Sequence, residues 1–464
     1  MAGAVHLSIF VALGALQWEP CWPSETDWAN LNSSIHGNLI SVRPIGRICH
    51  EPTYEQQACD VLLNVSRNSG WRAAQPGTLQ DWVWESGSTR EETCFVGGPV
   101  DLPCHQGRTP LYSAAVRLVS HVQCAIKFAK NHNLRLVIRN TGHDGSGRSS
   151  APGSFEIHTH HLKHTHYHDD FQPVGAVTTS GPAVTVGAGV ILGDLYAEGA
   201  RQGYTVVGGV CPTVGFVGGF LQGGGVSGKF SHSRGLAVDN VLEIQAVTAD
   251  GDLVVANDYH NQDLFWALRG GGGGTFAVVT QATVRVFPDV PCVTTQLAVS
   301  APQGLDDHSW MQVLELLLRG LRSFNEERIA GEFHLRPDPL SAILTLHFLN
   351  TSDLDSVDRR LAALIDKFRT SEIPHSYSSK SHALEVPRSV EAKLYASHEL
   401  TSVQMPVLYS LDPSYKVSYL NMGDPNDADF RNVYWGPNYE RLLALKQKWD
   451  VDALKQDGLW GRIF

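Results

Sequence analysis

Two side chains that can act as nucleophiles lie inside glycine-rich strings of this sequence. His143 stands in RNTGHDGSGRSS, residues 139–150, and Cys211 stands in VVGGVCPTVGFVGG, residues 206–219. Glycines let backbone amides approach a phosphate closely and form an anion-binding nest. Two such loops favour a ligand that joins a pyrophosphate to a large flat ring. Spacing alone does not separate this ligand site from two independent turns, one with a spare histidine and one with a buried cysteine.

A third glycine-rich string, GGGVSGKF at residues 223–230, is close to two nucleotide-binding motifs and fits neither. As a P-loop it places Phe230 where a Ser or Thr would hold magnesium. As the G-x-G-x-x-G fingerprint it offers Gly223, Gly225 and Gly228, with Glu243 downstream. No strand directly precedes it, and KFSHSRG cannot be an amphipathic crossover helix. The sequence therefore disfavours dinucleotide binding in a Rossmann fold.

The string HTHHLKHTHYHDD, residues 158–170, contains six histidines. Alternate residues of a strand share one face, so a metal cluster is one interpretation. Apart from Asp169 and Asp170, nothing nearby supplies the carboxylates that orient metal-binding histidines. We interpret the string as a polar edge strand and predict no metal site.

The composition is that of an ordered globular protein. The 464 residues are 42% hydrophobic and 18% charged, with a net charge of −11, which argues against a nucleic-acid binder. Residues 1–17 are apolar but shorter than the ~20 residues of a membrane span, and we expect a secretory signal peptide. Sequons at Asn32, Asn64 and Asn350 agree with a secreted glycoprotein. The alternative is a buried N-terminal segment in a cytoplasmic protein.

The eight cysteines are unevenly distributed. Five lie within the first 104 residues, and none forms a CxxC pair of the kind that binds zinc. In a secreted protein they are disulfide candidates, with a connectivity that the sequence leaves open. Cys211 stands apart from them in its glycine-rich string.

The pattern of apolar residues places these strings in an α+β chain. A helical spacing at residues 118–129 is followed by the strand-like run LRLVI, which leads directly into the loop of His143. Residues 289–430 combine two amphipathic helices with the alternating run AILTLHFL, which predicts a sheet covered by helices. A last helix, NYERLLALKQKW, is expected to return to the first block.

Taken together, the string of motifs resembles a known flavoprotein superfamily. The matching segments are NLRLVIRNTGHDGSGRSS, THHLK, VTVGAGVILGDLY, GGVCPTVG, GGFLQGGGVSG, GLAVDNVLEIQAVTADGDLV, DLFWALRGGGGGTFAVVT and YWGPNYERLLALKQKWD. The block 107–288 is similar to the PCMH-type FAD-binding domain of the vanillyl-alcohol-oxidase superfamily. The whole chain resembles berberine-bridge-enzyme-like FAD-linked oxidoreductases of the secreted fungal type. The resemblance divides the chain into a signal peptide (1–17), a Cys/Trp/Pro-rich segment (18–106), the FAD-binding domain (107–288), a substrate domain (289–430) and a C-terminal segment that returns to the FAD domain (431–464).

The resemblance implies a bicovalent flavin. His143 would attach to the 8α-methyl carbon of the isoalloxazine ring, and Cys211 would attach to C6. The remaining cofactor contacts that it implies are a pyrophosphate loop and a ring-lining set: Arg139, Asn140, Thr141, Gly142, Asp144, Gly147 and Ser149 for the first, and Gly208, Gly209, Gly215, Gly218, Gly219 and Asn438 for the second.

The resemblance also implies a catalytic base, which this chain lacks at the expected position. The family carries a tyrosine or a glutamate in the segment before the GPNY turn, and YLNMGDPNDADF has Met422 there. A methionine cannot take a proton, so another group must accept it. Tyr419, Asp424 and Tyr439 are the local candidates, and Asn421 is expected to contact substrate beside Met422.

The function implied is an oxidase with covalent FAD. Hydride from a small organic molecule, a specialised metabolite by the habit of the family, would pass to FAD and then to dioxygen, which gives hydrogen peroxide. Met422 motivates an alternative, in which the bound flavin supports an oxidative cyclase or a cycloaddition template. A carbohydrate oxidase and an inactive member of the family are further alternatives. No nucleic-acid or membrane partner is expected.

Overall fold

The computed structural model describes residues 22–86, 93–337, 339–384 and 430–450. It has the α+β architecture that the sequence predicts. The helices are α1 (Glu25–Ser34), α2 (Gln56–Val65), α3 (Ser69–Ala74), α4 (Val119–Asn131), α5 (Leu192–Gln202), α6 (Ser231–Arg234), α7 (Gln262–Leu268), α8 (Asp307–Glu326), α9 (Leu354–Arg369), α10 (Phe430–Tyr434) and α11 (Tyr439–Trp449).

The strands form three main sheets and one short pair. The strands are β1 (Leu39–Ser41), β2 (Tyr112–Ala115), β3 (Leu136–Arg139), β4 (Phe155–His158), β5 (Thr165–His168), β6 (Ala183–Gly187), β7 (Tyr204–Thr205), β8 (Val241–Val247), β9 (Leu253–Asn257), β10 (Val278–Arg285), β11 (Phe287–Pro288), β12 (Cys292–Ser300), β13 (Ala330–Pro337), β14 (Leu340–Leu349) and β15 (Ser376–Leu384).

The first sheet has the order β1-β2-β4-β3, with β2, β4 and β3 parallel. Helix α4 makes the crossover from β2 to β3 and buries Val122, Ala125, Ile126 and Ala129, the face expected from the helical spacing. Strand β1 pairs antiparallel with β2. The Cys/Trp/Pro-rich segment therefore contributes an edge strand to this sheet.

The second sheet has the order β5-β6-β10-β8-β9 and is antiparallel throughout. Its strand β6 has all five residues buried, because elements cover both faces. Helix α11 lies against α7, and the Lys446 ammonium donates a hydrogen bond to the carbonyl of Thr275, 2.6 Å away. The last helix thus packs beside the end of the FAD-binding block.

The third sheet has the order β13-β14-β12-β15 and is antiparallel. Helices α8 and α9 cover one face, and the core between them is apolar: Val293, Leu297, Val299, Leu317, Leu344, Leu346, Phe348, Leu361, Leu364 and Phe368. The alternate residues of the strands point to the opposite, polar face.

Two disulfides lie in the N-terminal segment, Cys49–Cys59 and Cys94–Cys104. Among the described residues Cys124, Cys211 and Cys292 are free thiols. In the part of the chain that the structure describes, no helix has both the length and the apolar composition that a membrane crossing demands.

The glycine-rich string 223–230 and the histidine string 158–170 fall in short secondary-structure elements. The string 223–230 runs into α6, which has four residues and cannot act as a crossover helix. The histidine string spreads over β4, a 3-10 turn at Thr159–His161 and β5. Within the described ranges no group of three or more His, Cys, Asp or Glu side chains forms a metal site.

Candidate active site

The two nucleophilic side chains meet in space. The Cys211 Sγ lies 3.9 Å from the His143 Nε2, although 68 residues separate them along the chain. The hydroxyl of Thr213 lies 2.8 Å from the same nitrogen and 3.5 Å from the sulfur. The two glycine-rich loops are therefore one site, and the interpretation as two independent turns is wrong.

The loop of His143 is shaped by left-handed glycines and by a wall of N-terminal residues. Gly142 has φ +79°, and a Cβ there would lie 2.9 Å from the Leu79 Cα. Gln80 holds the loop by two hydrogen bonds, from its backbone N–H to the Gly142 carbonyl and from its side-chain amide to the Thr141 carbonyl, each 2.9 Å long. Residues outside the glycine-rich string thus fix the backbone that presents His143.

Downstream of His143 the loop is closed by an ion pair. The Asp144 carboxylate accepts hydrogen bonds from the Arg148 guanidinium and, at 2.5 Å, from the Arg148 backbone N–H. The Gly147 N–H donates to the Asp144 carbonyl at 3.1 Å. Asp144 and Gly147, both predicted cofactor contacts, form the turn itself. A free carboxylate would repel a pyrophosphate, and the pairing with Arg148 offsets its charge.

The prediction for Arg139 needs correction. Its side chain is fully buried at the end of β3 and pairs with Glu156 at 2.6 Å. The guanidinium also donates to the Gln75 carbonyl at 2.5 Å and faces the His158 Nε2 at 2.9 Å. The second Glu156 oxygen accepts from the Ser113 hydroxyl at 2.6 Å. With its donors engaged inside the protein, the Arg139 guanidinium supports the loop from below and does not reach a pyrophosphate; only the backbone of Arg139 stays a predicted contact.

Asn140 links the two loops. Its side-chain amide donates to the Ala188 carbonyl. A Cβ on Gly215 would lie only 2.3 Å from the Asn140 Oδ1, and one on Gly218 would make a tight contact of 3.0 Å with the Asn140 Nδ2. The Thr141 hydroxyl accepts from the Gly215 N–H at 3.2 Å. These predicted glycines therefore let the backbone of the second loop lie directly against the first.

The residues present fit a bound FAD. Two buried oxygens in the first loop, the Asn140 Oδ1 and the Ser149 Oγ, have no hydrogen-bond partner among the described residues. A buried polar atom without a partner is costly. A dinucleotide offers donors to the amide oxygen and phosphate acceptors to the hydroxyl. Both atoms belong to residues that the sequence assigned to the cofactor.

The ring-lining glycines pack against an aromatic wall. The Tyr196 hydroxyl donates to the Gly209 carbonyl at 2.6 Å, and a Cβ on Gly208 would overlap that hydroxyl. Burial raises the pKa of Tyr196, so this phenol stays protonated. Gly219 lies against Gly273, where an added Cβ would be 2.9 Å from the Gly219 Cα. Gly208 and Gly273 thus permit close approaches that a side chain would block.

Of the C-terminal residues predicted from the sequence, two lie within the described residues and four lie outside them. Asn438 is exposed and precedes α11. Tyr439 is 5% exposed, and its ring packs against Trp435 and under the Arg431 guanidinium. Burial in the core gives Tyr439 a packing role. Four predicted residues lie outside the described residues: Tyr419, Asn421, Met422 and Asp424.

The polar face of the third sheet was not recognised as a site from the sequence. On it, the Thr294 hydroxyl and the His347 Nδ1 lie 3.0 Å apart, in a pair of facing residues of β12 and β14. Burial and then the charge of Lys229 lower the pKa of His347 to about 4, against the opposite effect of Glu332. The Glu332 side chain packs on Gly228, in the string 223–230 of the FAD-binding block. The polar face is thus turned toward that block.

Comparisons with known proteins agree with this arrangement. Residues 110–257 match the FAD binding domain family, and residues 418–454 match the family described as berberine and berberine like. Aurantioclavine synthase cnsA of Penicillium expansum is 99% identical over 339 residues, 73% of either chain. The FAD-linked oxidoreductase easE of Arthroderma otae is 43% identical over 94% of this chain and 87% of its own. The chain belongs to the berberine-bridge-enzyme-like FAD-linked oxidoreductases.

Solved structures show the same fold. The VAO-type flavoprotein MtVAO615 from Myceliophthora thermophila superimposes with a TM-score of 0.79 at 28% identity, and the match covers 95% of each chain. Glucooligosaccharide oxidase from Acremonium strictum superimposes with a TM-score of 0.56 at 17% identity, over 74% of this chain and 90% of its own. The cofactor of that oxidase is a 6-S-cysteinyl, 8α-N1-histidyl FAD. The present chain is an FAD-dependent oxidoreductase of secondary metabolism.

Proposed function

We propose that the protein is an oxidase that carries FAD on two covalent bonds, from a His143 nitrogen to the flavin 8α carbon and from the Cys211 sulfur to flavin C6. The observation that carries the proposal is the convergence of these two side chains, 3.9 Å apart, where the two glycine-rich loops meet. The oxidase of Acremonium strictum, whose FAD has both linkages, supports the same pair of bonds here.

The atoms and electrons of each covalent attachment step can be accounted for directly. One C–H bond of the flavin and one N–H or S–H bond of the side chain are replaced by one C–N or C–S bond. Two electrons and two protons leave for every bond made, and dioxygen takes them up as hydrogen peroxide. No other oxidant is needed.

When bound, FAD accepts a hydride from the substrate and passes the electrons to dioxygen, so that the hydride and one substrate proton leave as hydrogen peroxide. The chain itself binds and orients. Its first loop offers the Ser149 hydroxyl and its backbone amides to the pyrophosphate. Its glycines at 208, 209, 215, 218 and 219 bring the backbone up to the ring. A tether at each loop would hold the ring in one position.

The substrate would lie between the ring and the polar face of the third sheet. Glu332, His334 and His347 are groups on this face that can hold a hydroxyl or an amine. A neutral His347 imidazole can donate or accept a hydrogen bond at pH 7. A small specialised metabolite suits such a mixed polar surface. Tyr419 and Asp424 remain the predicted bases, and Asn421 and Met422 the predicted substrate contacts.

The extracytosolic setting is part of the proposal. Two disulfides in the N-terminal segment favour an oxidising compartment. Of the three sequons, Asn64 and Asn350 are exposed, and Asn32 accepts a hydrogen bond from the Leu39 N–H at 3.0 Å. Asn350 lies in the turn after β14 and, like Asn64, is exposed and open to a glycan. Loss of a mass shift on glycosidase treatment of the Asn350→Gln protein would identify it as the modified site.

The decisive experiment is acid precipitation of the purified protein. The yellow colour should stay with the pellet in the native protein and in each single variant, His143→Ala or Cys211→Ala. In the double variant it should move entirely to the supernatant. Colour in the supernatant of the native protein would refute covalent attachment. A peroxide-coupled screen of small amines and alcohols then tests the oxidase activity.

A second candidate is a cyclase, in which the flavin site either oxidises the substrate before ring closure or only shapes it for that step. The name of the 99% identical relative, a synthase, favours it. The candidates differ in their products. A plain oxidase gives a dehydrogenated product with one peroxide per turnover, and an oxidative cyclase gives the same peroxide with one new ring. A cyclisation template gives a rearranged product without oxygen uptake.

A further inference from the structure

The hydroxyl of Thr213 contacts both predicted tethers. It lies 2.8 Å from the His143 Nε2 and 3.5 Å from the Cys211 Sγ, and these two atoms lie 3.9 Å from each other. The three side chains form a closed triangle at the meeting point of the two loops. Thr213 lies in the segment GGVCPTVG, but the resemblance assigned roles there to Cys211 and to glycines and none to Thr213.

The backbone holds Thr213 in this place. Cys211, Pro212, Thr213 and Val214 form a turn, in which the Val214 N–H donates to the Cys211 carbonyl at 3.2 Å. Proline in the second position sets the backbone for such a turn. The turn is tied to the start of α5, because the Gly193 N–H donates to the Pro212 carbonyl at 2.8 Å.

A residue close to Thr213 ties the turn to the other loop. The Gly215 N–H donates to the Thr141 hydroxyl, two residues before His143. A shift of Thr213 would therefore strain the hydrogen bonds of two nearby residues, Pro212 and Gly215. These bonds fix the backbone of the turn, which keeps the Thr213 side chain beside the imidazole of His143.

The chemistry of a hydroxyl suits this position. It donates one hydrogen bond and accepts two. It can accept from the His143 Nε2–H or donate to that nitrogen, and it faces the sulfur at the same time. An imidazole held at one nitrogen has a fixed ring orientation, so its other nitrogen faces one direction.

We propose that Thr213 is a positioning residue for flavin attachment, which holds the His143 ring and the Cys211 sulfur in the arrangement that accepts the two flavin carbons. The inference rests on the proposed attachment through His143 and Cys211. Thr213 forms no bond to the flavin and leaves the balance of each attachment step unchanged. Its effect is on the rate at which the bonds form.

The test compares Thr213→Val, which keeps the shape and removes the hydroxyl, with Thr213→Ser, which keeps the hydroxyl. Flavin-free protein from riboflavin-limited cells is mixed with FAD, and the fractions of the His143 and Cys211 peptides that carry flavin are followed by mass spectrometry. Tightly bound but non-covalent FAD is measured separately in the acid supernatant. A second variant, Thr213→Ala, serves if the valine protein fails to fold.

The valine protein should bind FAD as the native protein does and attach it about tenfold more slowly at His143, the factor for the loss of one hydrogen bond. The serine protein should attach it within about twofold of the native rate. Native rates in both the valine and the alanine proteins would overturn the role of Thr213. If the native protein itself forms no covalent flavin, it is the proposed function that fails, and the two failures are thereby distinguished.

Discussion

The FAD-binding block and the third sheet build their sites from different parts of the chain. In the block, glycines let the backbone of one loop lie directly against the other, and the Asn140 side chain donates to the Ala188 carbonyl between them. On the third sheet the backbone is paired within the sheet, and the polar face is made of side chains such as Thr294 and His347. The first surface depends on where glycines are, and the second depends on which residue each strand position carries.

This difference explains what can vary. A side chain added at Gly215 or Gly218 would push Asn140 out of place and disturb the cofactor site. A polar side chain exchanged on the sheet face leaves the strand pairing intact, because alternate residues pack independently on each face. One chain can thus combine a cofactor site that depends on glycines with a sheet face whose polar side chains can be exchanged.

The largest effect should come from breaking the buried support of the first loop. Arg139→Met leaves the fully buried Glu156 without its cation, which costs about 3–5 kcal/mol of unfolding free energy. Urea unfolding measures it. The matched control is Arg319→Met, which removes an exposed pair with Glu315 and should cost less than about 0.5 kcal/mol. Equal losses in both proteins would show that burial of the pair does not matter.

A smaller and more selective effect is expected on the polar face of the third sheet. His347→Leu should leave the covalent flavin content at the native level and lower kcat/KM about tenfold, since one substrate hydrogen bond is lost. Thr294→Val, which removes the partner of the imidazole, should have a weaker effect in the same direction. A parallel loss of flavin from the His347→Leu protein would break the division between the two regions.

The smallest effect is a pH dependence of stability that both regions share. Burial, followed by the charge of Lys163, lowers the pKa of His160 to about 4, as burial and Lys229 do for His347. As pH falls from about 6.5 to about 4, the unfolded chain takes up protons at these positions and the folded chain does not, so stability decreases. Above pH 7 it should stay flat. His160→Gln and His347→Gln should each reduce the acid slope by on the order of 1 kcal/mol over that range. If the pH dependence of the unfolding free energy were unchanged in both variants, the lowered pKa values of His160 and His347 would be contradicted.

The elements that could be predicted from the sequence are those with periodic apolar residues and those in which the backbone conformation requires glycine. The helical spacing before LRLVI became α4, and the two amphipathic patterns near residues 313 and 357 became α8 and α9. Spacing alone left the two glycine-rich strings open to interpretation as one ligand site or as two independent turns. The family resemblance joined them, and the 3.9 Å contact between the Cys211 Sγ and the His143 Nε2 brings them together in the structure. The periodicity of apolar residues is a local signal that can be read without knowledge of tertiary contacts.

The rest depends on contacts between distant residues. The family resemblance implied Arg139 as a contact of the pyrophosphate, and only its buried partner Glu156, from β4, shows the structural role of its side chain. Gln80 lies outside every motif, and Thr213 lies in GGVCPTVG without an assigned role. The roles of both come from the carbonyls and side chains that the fold brings beside them. The order of parallel strands in the first sheet likewise places β4 between β2 and β3, which no local pattern encodes.

Helix α11 has a consequence for synthesis on the ribosome. It packs on α7, yet about 170 residues of chain are made between the two, among them all four strands of the third sheet. At a translation rate of about 5–20 residues per second, α11 is synthesised roughly ten to thirty seconds after α7. During that time the surface that Arg441 later covers on Trp266 is open.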